Sequence, residues 1–498
     1  MIYERTRKKV YNTTNKNYIF LLVEITLFFV CLFYYINIDK TNVTFNNLNT
    51  LVIFDFILFV ILFLYCISGH NIQKNIGLLC FSIAFFVLIM GQYFLALFDS
   101  TIYGKYIFTT VSTISLKNEL TGLFVIFISL LCVSIGYIVG KDSERPLFTE
   151  KKKALDLKND IYSRYSLYIM YIGAVASFIK LFAKIYYSQM NGYLSIYLNT
   201  GSALFTNPLL DMFDGFYMIG FIGLLASFPS RDKLKKPIML YVLYTILSLF
   251  TGQRGDLVIN IIFMMWYLSK YADIHSEKPF LTRKKIILIG ALSIFLISFL
   301  YTWGYSRVGV SVASESIDQK IRNFIYGQGG SGHLISLSLE NIDSMEQYIS
   351  KPSMILWPVE NFIVNNSVVR LFTGGALGQS AGNIGSFGGA LTYITNRASF
   401  LNGSSVGTCY LAELFCSCGF IGIIIFNLIL GKFIKKMDFI KPNNWKSNTL
   451  FIKIFLIIVY IPRQATLQFI PESVITIIFI LIVSWLYNGK RGQRIETK

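Results

Sequence analysis

Long apolar runs recur along the whole 498-residue chain and constrain its fold more than any motif. A helix needs about 20 apolar residues, rising 1.5 Å each, to cross roughly 30 Å of hydrocarbon. Twelve segments meet this need: 18–38, 49–68, 76–98, 121–140, 165–186, 213–228, 237–251, 256–270, 286–304, 406–431, 449–462 and 470–487. The short runs 237–251 and 256–270 could also form one hairpin broken at TGQRGD. The fold class expected is an all-α polytopic membrane protein. Charged residues make up 14% of the chain, against about 25% in soluble domains.

The net charge of +18 would suggest nucleic acid in a soluble protein. Here the basic residues cluster between apolar runs, which speaks for topology instead. With the N-terminus in the cytoplasm, 31 Lys and Arg fall inside and 11 outside. Discounting the long segment 305–405 leaves 31 against 5, so both termini are expected in the cytoplasm. Residues 1–17 are basic and the first run lacks a small-residue cleavage site, so it reads as a span rather than a cleaved signal. The expected organisation is a bundle over 1–304, an external loop over 305–405 and a closing bundle with a cytoplasmic tail over 406–498.

The loop is not low-complexity. Amphipathic stretches at Ile317–Tyr326 and Leu334–Leu339 alternate with GQGGSG (327–332), TGGALG (373–378) and SFGGA (386–390). It is expected to fold back over the outer mouth of the bundle. Six of the eleven external basic residues are Arg: 254, 307, 322, 370, 397 and 463. Arginine presents a planar fork that grips phosphate oxygens in pairs. As a set these residues point to an anion at the outer interface, with headgroup anchoring as the alternative for any one of them. Arg254 and Asp256 in TGQRGD stand where hydrocarbon tolerates polar backbone only beside a cavity. Lys180 and Lys184 share one helix face and could join an anion site or snorkel. Lys453 reads as a snorkeller at the cytoplasmic end of its span.

His333 is the external histidine, and Glu413 starts the tenth run; either could take a proton from a hydroxyl. A structural loop histidine is the alternative for the first. Glu24 and Asp55 read as polar packing contacts within spans. GQGGSG fits Gly-x-Gly-x-x-Gly, but no βαβ pattern surrounds it, so a dinucleotide site is rejected. The seven Cys form no Cys-x-x-Cys pair and the three His are scattered. No GxxxxGK[ST], Asp-x-Asp or HExxH occurs. Neither a metal nor a cofactor is expected.

These residues resemble the Wzy family of O-antigen and capsular repeat-unit polymerases. The matching features are the GQRG turn at 252–255, the Gly-Gln-Gly stretch within Tyr326–Gly332, and a loop-closing run. That run has Gly407, Thr408, Tyr410, Leu411, Ala412, Glu413 and Leu414, then Gly419, Phe420, Ile421 and Gly422. IPRQ at 461–464 completes the set, and the resemblance covers roughly 165–487. Relatives often carry Lys or His where Arg397 stands, which puts a catalytic role there in doubt.

The resemblance implies a GT-C-like, metal-independent glycosyltransferase in the bacterial cytoplasmic membrane. Its donor would be a growing glycan on undecaprenyl diphosphate, moved to the non-reducing end of an incoming repeat unit on the same carrier. It implies Arg254, Arg370 and Arg463 as diphosphate ligands, with Lys180 and Arg307 in reserve, and Glu413 and His333 as base candidates. A chain-length regulator and a flippase are the implied partners. A ligase, moving finished polymer from the same lipid to another acceptor, would share every one of these features. A flippase would more often show internal repeats and charges deep in its spans.

Overall fold

The computed structural model describes residues 2–68, 72–104, 114–140, 152–192, 207–252, 255–306, 312, 314–365, 384–442 and 444–496. Among these residues it is helical with no strand. Twelve helices are long and apolar enough to cross a membrane. They are Asn17–Asn37, Phe45–Ile67, Ile72–Ala96, Leu116–Val139, Asp160–Asn191, Pro208–Ala226, Arg231–Thr251, Gly255–Ile274, Lys284–Tyr305, Tyr410–Asp438, Trp445–Arg463 and Phe469–Asn488. They are numbered here as spans 1 to 12. Each matches one apolar run of the sequence. The two short runs are separate spans, 7 and 8, and Arg254 between them lies outside the described residues.

Span 4 is the axis of the bundle. In its most apolar stretch 83% of residues are buried, against 11% for span 9, whose Ile287, Leu288 and Phe295 face outward. Span 10 lies against span 4 with no room between the backbones. A Cβ on Gly136 would sit 2.3 Å from the Leu428 carbonyl oxygen, and one on Gly431 2.1 Å from that of Val133. Helices in lipid gain little from burying more apolar surface, so close contact through small residues holds them together. Span 10 is itself broken at Gly419, whose φ of 59° and ψ of −153° leave the helical region.

One end of the bundle is locked by a buried ion pair. Lys270 of span 8 donates to the Gln73 and Asp438 carbonyls at 2.6 and 2.8 Å and lies 3.2 Å from the Asp438 carboxylate. Asp438, ending span 10, accepts from Gly77 N at 2.8 Å, Leu78 N at 3.3 Å and Tyr137 Oη at 2.9 Å. A carboxylate at the first free N–H groups of a helix meets both orphan donors and the positive dipole end. In span 1, Glu24 accepts from Ser134 at 2.6 Å, a polar packing contact of the kind expected.

At the opposite end the described segments 314–365 and 384–409 pack onto the bundle. The first loop helix, Ile317–Gln328, starts with a capping box between Ser316 and Gln319. GQGGSG, expected as a turn, instead continues as a tight helical turn, Gly329–Ser331, into the second loop helix, His333–Glu340. It can do so because span 3 makes space for it. That span is interrupted by a π-turn at Phe86–Met90, and π-turns open a helix locally. A Cβ on Gly332 would lie 2.3 Å from the Ile89 carbonyl oxygen, and one on Gly329 2.5 Å from Gln92 N. Gln92 also donates to the Tyr326 carbonyl at 2.7 Å.

The second loop helix is pinned at its far end by Glu340. One of its oxygens accepts from Ser115 N at 3.0 Å, Ser115 Oγ at 2.7 Å and Asn118 Nδ2 at 2.8 Å. Partial burial works to raise the pKa of this carboxyl. The donated hydrogen bonds outweigh that and hold it below the usual carboxylate range. A depressed folded pKa means the attachment is complete above the ordinary carboxylate pKa and is lost as pH falls through the folded value. The protection of amides over 333–340, relative to the unstructured chain at the same pH, should therefore fall on acidification in the wild type. In Glu340→Gln it should be low already at neutral pH; a pH-independent protection in the wild type would rule out this tether.

Candidate functional site

Four elements meet at the loop end: the upper part of span 3, the start of span 4, the second loop helix and the turn after span 11. The centre of the cluster is Glu119, in the first turn of span 4. Its carboxylate accepts from Tyr93 Oη at 2.5 Å, His333 Nδ1 at 2.9 Å, Ser336 Oγ at 3.0 Å and Gly104 N at 3.2 Å. All of the side chains in this group are fully or almost fully buried. The His333 ring lies on the Tyr93 ring with centroids 4.1 Å apart. A carboxylate accepts, so Nδ1 is the donor, and in the neutral ring Nε2 carries the lone pair. Nε2 meets no hydrogen-bond partner among the described residues. An oriented imidazole with an unsatisfied, acceptor-ready nitrogen is what a general base requires.

The helices explain why these groups meet. Ser336 lies three residues beyond His333 on the second loop helix, so both face span 4 on one side. Gly122 admits that helix, because a Cβ there would come within 2.4 Å of Ser336 Oγ. Tyr93 lies just after the π-turn. Its placement depends on the same opening that admits Gly332.

Arg463 sits in the turn that ends span 11 and donates from Nη1 to Gln328 Oε1 at 2.8 Å. IPRQ is thereby joined to the start of the Gly-rich segment, five residues before His333. No carboxylate pairs with Arg463 among the described residues. Arg322 instead pairs with Asp318 on the surface at 3.2 Å, and Arg397 lies over the Tyr393 ring. Arg254, Arg307 and Arg370 lie outside the described residues.

Two candidates prove to be engaged elsewhere. Lys180 is bound by Asp211 at 2.7 Å and Asp214 at 2.8 Å of span 6, so an anion there would have to displace two carboxylates. Lys184, one turn on, has no ion pair among the described residues and is the better placed cation of the two. Glu413 is fully buried. It accepts from Thr408 Oγ1 at 2.6 Å, Trp357 Nε1 at 3.1 Å and Thr466 N at 2.7 Å. With three donors upon it, Glu413 ties the third loop helix (Lys351–Asn365) to the starts of spans 10 and 12. In this structure both of its oxygens face these donors. Lys453 does not snorkel to the cytoplasmic end but pairs with Glu472 of span 12 at 2.9 Å.

Glu119, Tyr93 and Ser336 were not among the residues picked out from the sequence. The available signal was an acidic residue directly ahead of an apolar run, LKNELTGLF. Glu119 and His333 are 214 positions apart, so nothing local connects them.

Fold and site together define a polytopic helical membrane protein with a polar cluster built between its spans and a folded loop. The family model described as O-antigen polysaccharide polymerase Wzy matches residues 12–491, and the chain belongs to this family. The match extends the motif-based resemblance to nearly the whole chain. No curated protein and no solved structure matches it.

Proposed function

We propose that this protein polymerises lipid-linked oligosaccharide repeat units at the outer face of the bacterial cytoplasmic membrane, with both termini in the cytoplasm. The observation that carries the reading is the Glu119–His333 pair, with Nε2 unpartnered among the described residues, within a family of O-antigen polymerases. The donor is the growing glycan on undecaprenyl diphosphate. The acceptor is a hydroxyl at the non-reducing end of the next lipid-linked unit. The hydroxyl oxygen bonds to the donor's anomeric carbon as the bond to the diphosphate breaks. The hydroxyl proton passes to His333 Nε2, and undecaprenyl diphosphate departs with the bonding electron pair.

Arg463, with Arg254, Arg307 and Arg370, holds the charge of the departing diphosphate. Guanidinium groups preorganised around developing charge serve where a metal ion would otherwise be needed. Glu119 fixes the histidine tautomer. His333 is fully covered in this structure, so the acceptor gains access as the loop shifts. A chain-length regulator and a flippase are the proposed partners.

Surface glycan from a strain lacking the gene, sized on a gel, tests the reading. A single repeat unit on its final acceptor, with no ladder, is the expected result. Polymer stranded on the lipid carrier would mean a ligase, and repeat units trapped in the inner leaflet would mean a flippase. Arg254→Ala should lose the ladder, and Arg254→Lys should restore little of it, because a point charge lacks the two-pronged fork. A full ladder in both variants would remove Arg254 from the site.

A further inference from the structure

Beside the Glu413 node lies a cavity of about 180 Å³ that the polymerase reading leaves unused. One wall is the third loop helix, with Trp357, Asn361 and Phe362. The other is the start of span 12, with Gln468, Pro471 and Glu472. A single carboxylate braces both walls. Glu413 receives Trp357 Nε1 through one oxygen and Thr466 N, two residues before Gln468, through the other. The geometry points to a saccharide subsite, holding a sugar of the lipid-linked glycan away from the reacting bond. The inference rests on the proposed function for the identity of the substrate.

The lining chemistry selects among the parts of such a substrate. A diphosphate would meet the Glu472 carboxylate, and among the described residues no lysine or arginine lines the cavity. Lys453 is already paired with Glu472. A polyprenyl chain would strip water from Gln468 and Glu472 without replacing the lost hydrogen bonds, which is costly. A pyranose has both kinds of surface these walls require. Its C–H face suits the Trp357 and Phe362 rings, and its hydroxyls suit two amides and a carboxylate. The bond from Trp357 Nε1 to a fully buried carboxylate fixes the indole in advance, so little entropy is lost when a sugar docks. Glu413 thus has a function in the family's closing motif without touching the reacting atoms.

The test uses the full chain in lipid nanodiscs. The probe is a short oligosaccharide cut from the producing strain's own surface polysaccharide, free of lipid and phosphate, with binding followed by saturation-transfer NMR. Trp357→Ala should weaken binding about tenfold. Asn361→Ala and Gln468→Ala should each weaken it by roughly threefold to tenfold. Asn361 is exposed, so its replacement keeps the test valid if the tryptophan variant misfolds. Wild-type affinity in the two amide variants, or no binding of the oligosaccharide to the wild type, would overturn the subsite. So would variants that weaken binding of farnesyl phosphate and leave oligosaccharide binding intact. The glycan ladder of the deletion strain reports on the polymerase reading separately, so the two can fail independently.

Discussion

His333→Ala is expected to lower the rate of glycan extension by about 10²–10⁴-fold, the range supplied by a positioned general base. Glu119→Gln should also lose at least about 10²-fold, although it keeps the shape of the side chain. The amide can accept from Nδ1–H through its oxygen, but it brings two hydrogens into a pocket where Tyr93, Ser336 and Gly104 all donate. One or more donors would then lose a partner, and the ring would no longer be held in a single tautomer. Rates per folded molecule separate this role from a merely structural one. Loss of the base should lower that rate, whereas a variant that is only less stable should keep it. Measured extension at the wild-type rate in His333→Ala would leave the cluster as packing alone.

The second large effect is expected within GQGGSG, where three alanine substitutions should differ sharply. Gly332→Ala would put a methyl 2.3 Å from the Ile89 carbonyl oxygen, and Gly329→Ala one 2.5 Å from Gln92 N. Both obstacles are backbone and cannot rotate aside. Overpacking of this kind costs about 1–3 kcal/mol and would push the loop helix off span 3. Because His333 follows Gly332 directly, a displacement of ~1 Å can cost roughly 10²-fold in rate. Gly327→Ala meets nothing within 4 Å and should be silent. Equal activity in all three, assayed side by side at matched expression, would show that the segment does not depend on close contact with span 3.

The twelve spans could be read from the sequence because hydrocarbon imposes one length on every crossing helix, and apolar run length reports it directly. The loop helices Ile317–Gln328 and His333–Glu340 were visible through amphipathic spacing. GQGGSG misled in conformation, since glycine suggests a turn wherever the chain is exposed. Here its lack of a side chain serves contact with an opened helix. Which polar groups meet was not legible. The partners of His333 come from spans 3 and 4, and the partners of Lys180 from span 6. A charged residue near a membrane edge looks the same in sequence whether it faces a ligand or a carboxylate. Glu413 shows the same ambiguity: its motif marks it out, and its donors Trp357, Thr408 and Thr466 come from separate elements.

The break at Gly419 changes how span 10 moves. A continuous helix is a stiff rod, so a push at one end arrives at the other. With one residue at φ 59° and ψ −153° the rod is jointed. The short piece Tyr410–Cys418 carries Glu413 and is tied through it to Trp357, Thr408 and Thr466. The long piece beyond is seated against span 4 through Gly431 and ends at Asp438, bound to Lys270. The joint is itself bridged, since Tyr410 Oη donates to Asn427 at 2.9 Å across it. The bend is thus clamped, and one helix seats both the loop and the Lys270–Asp438 pair while its halves run in different directions.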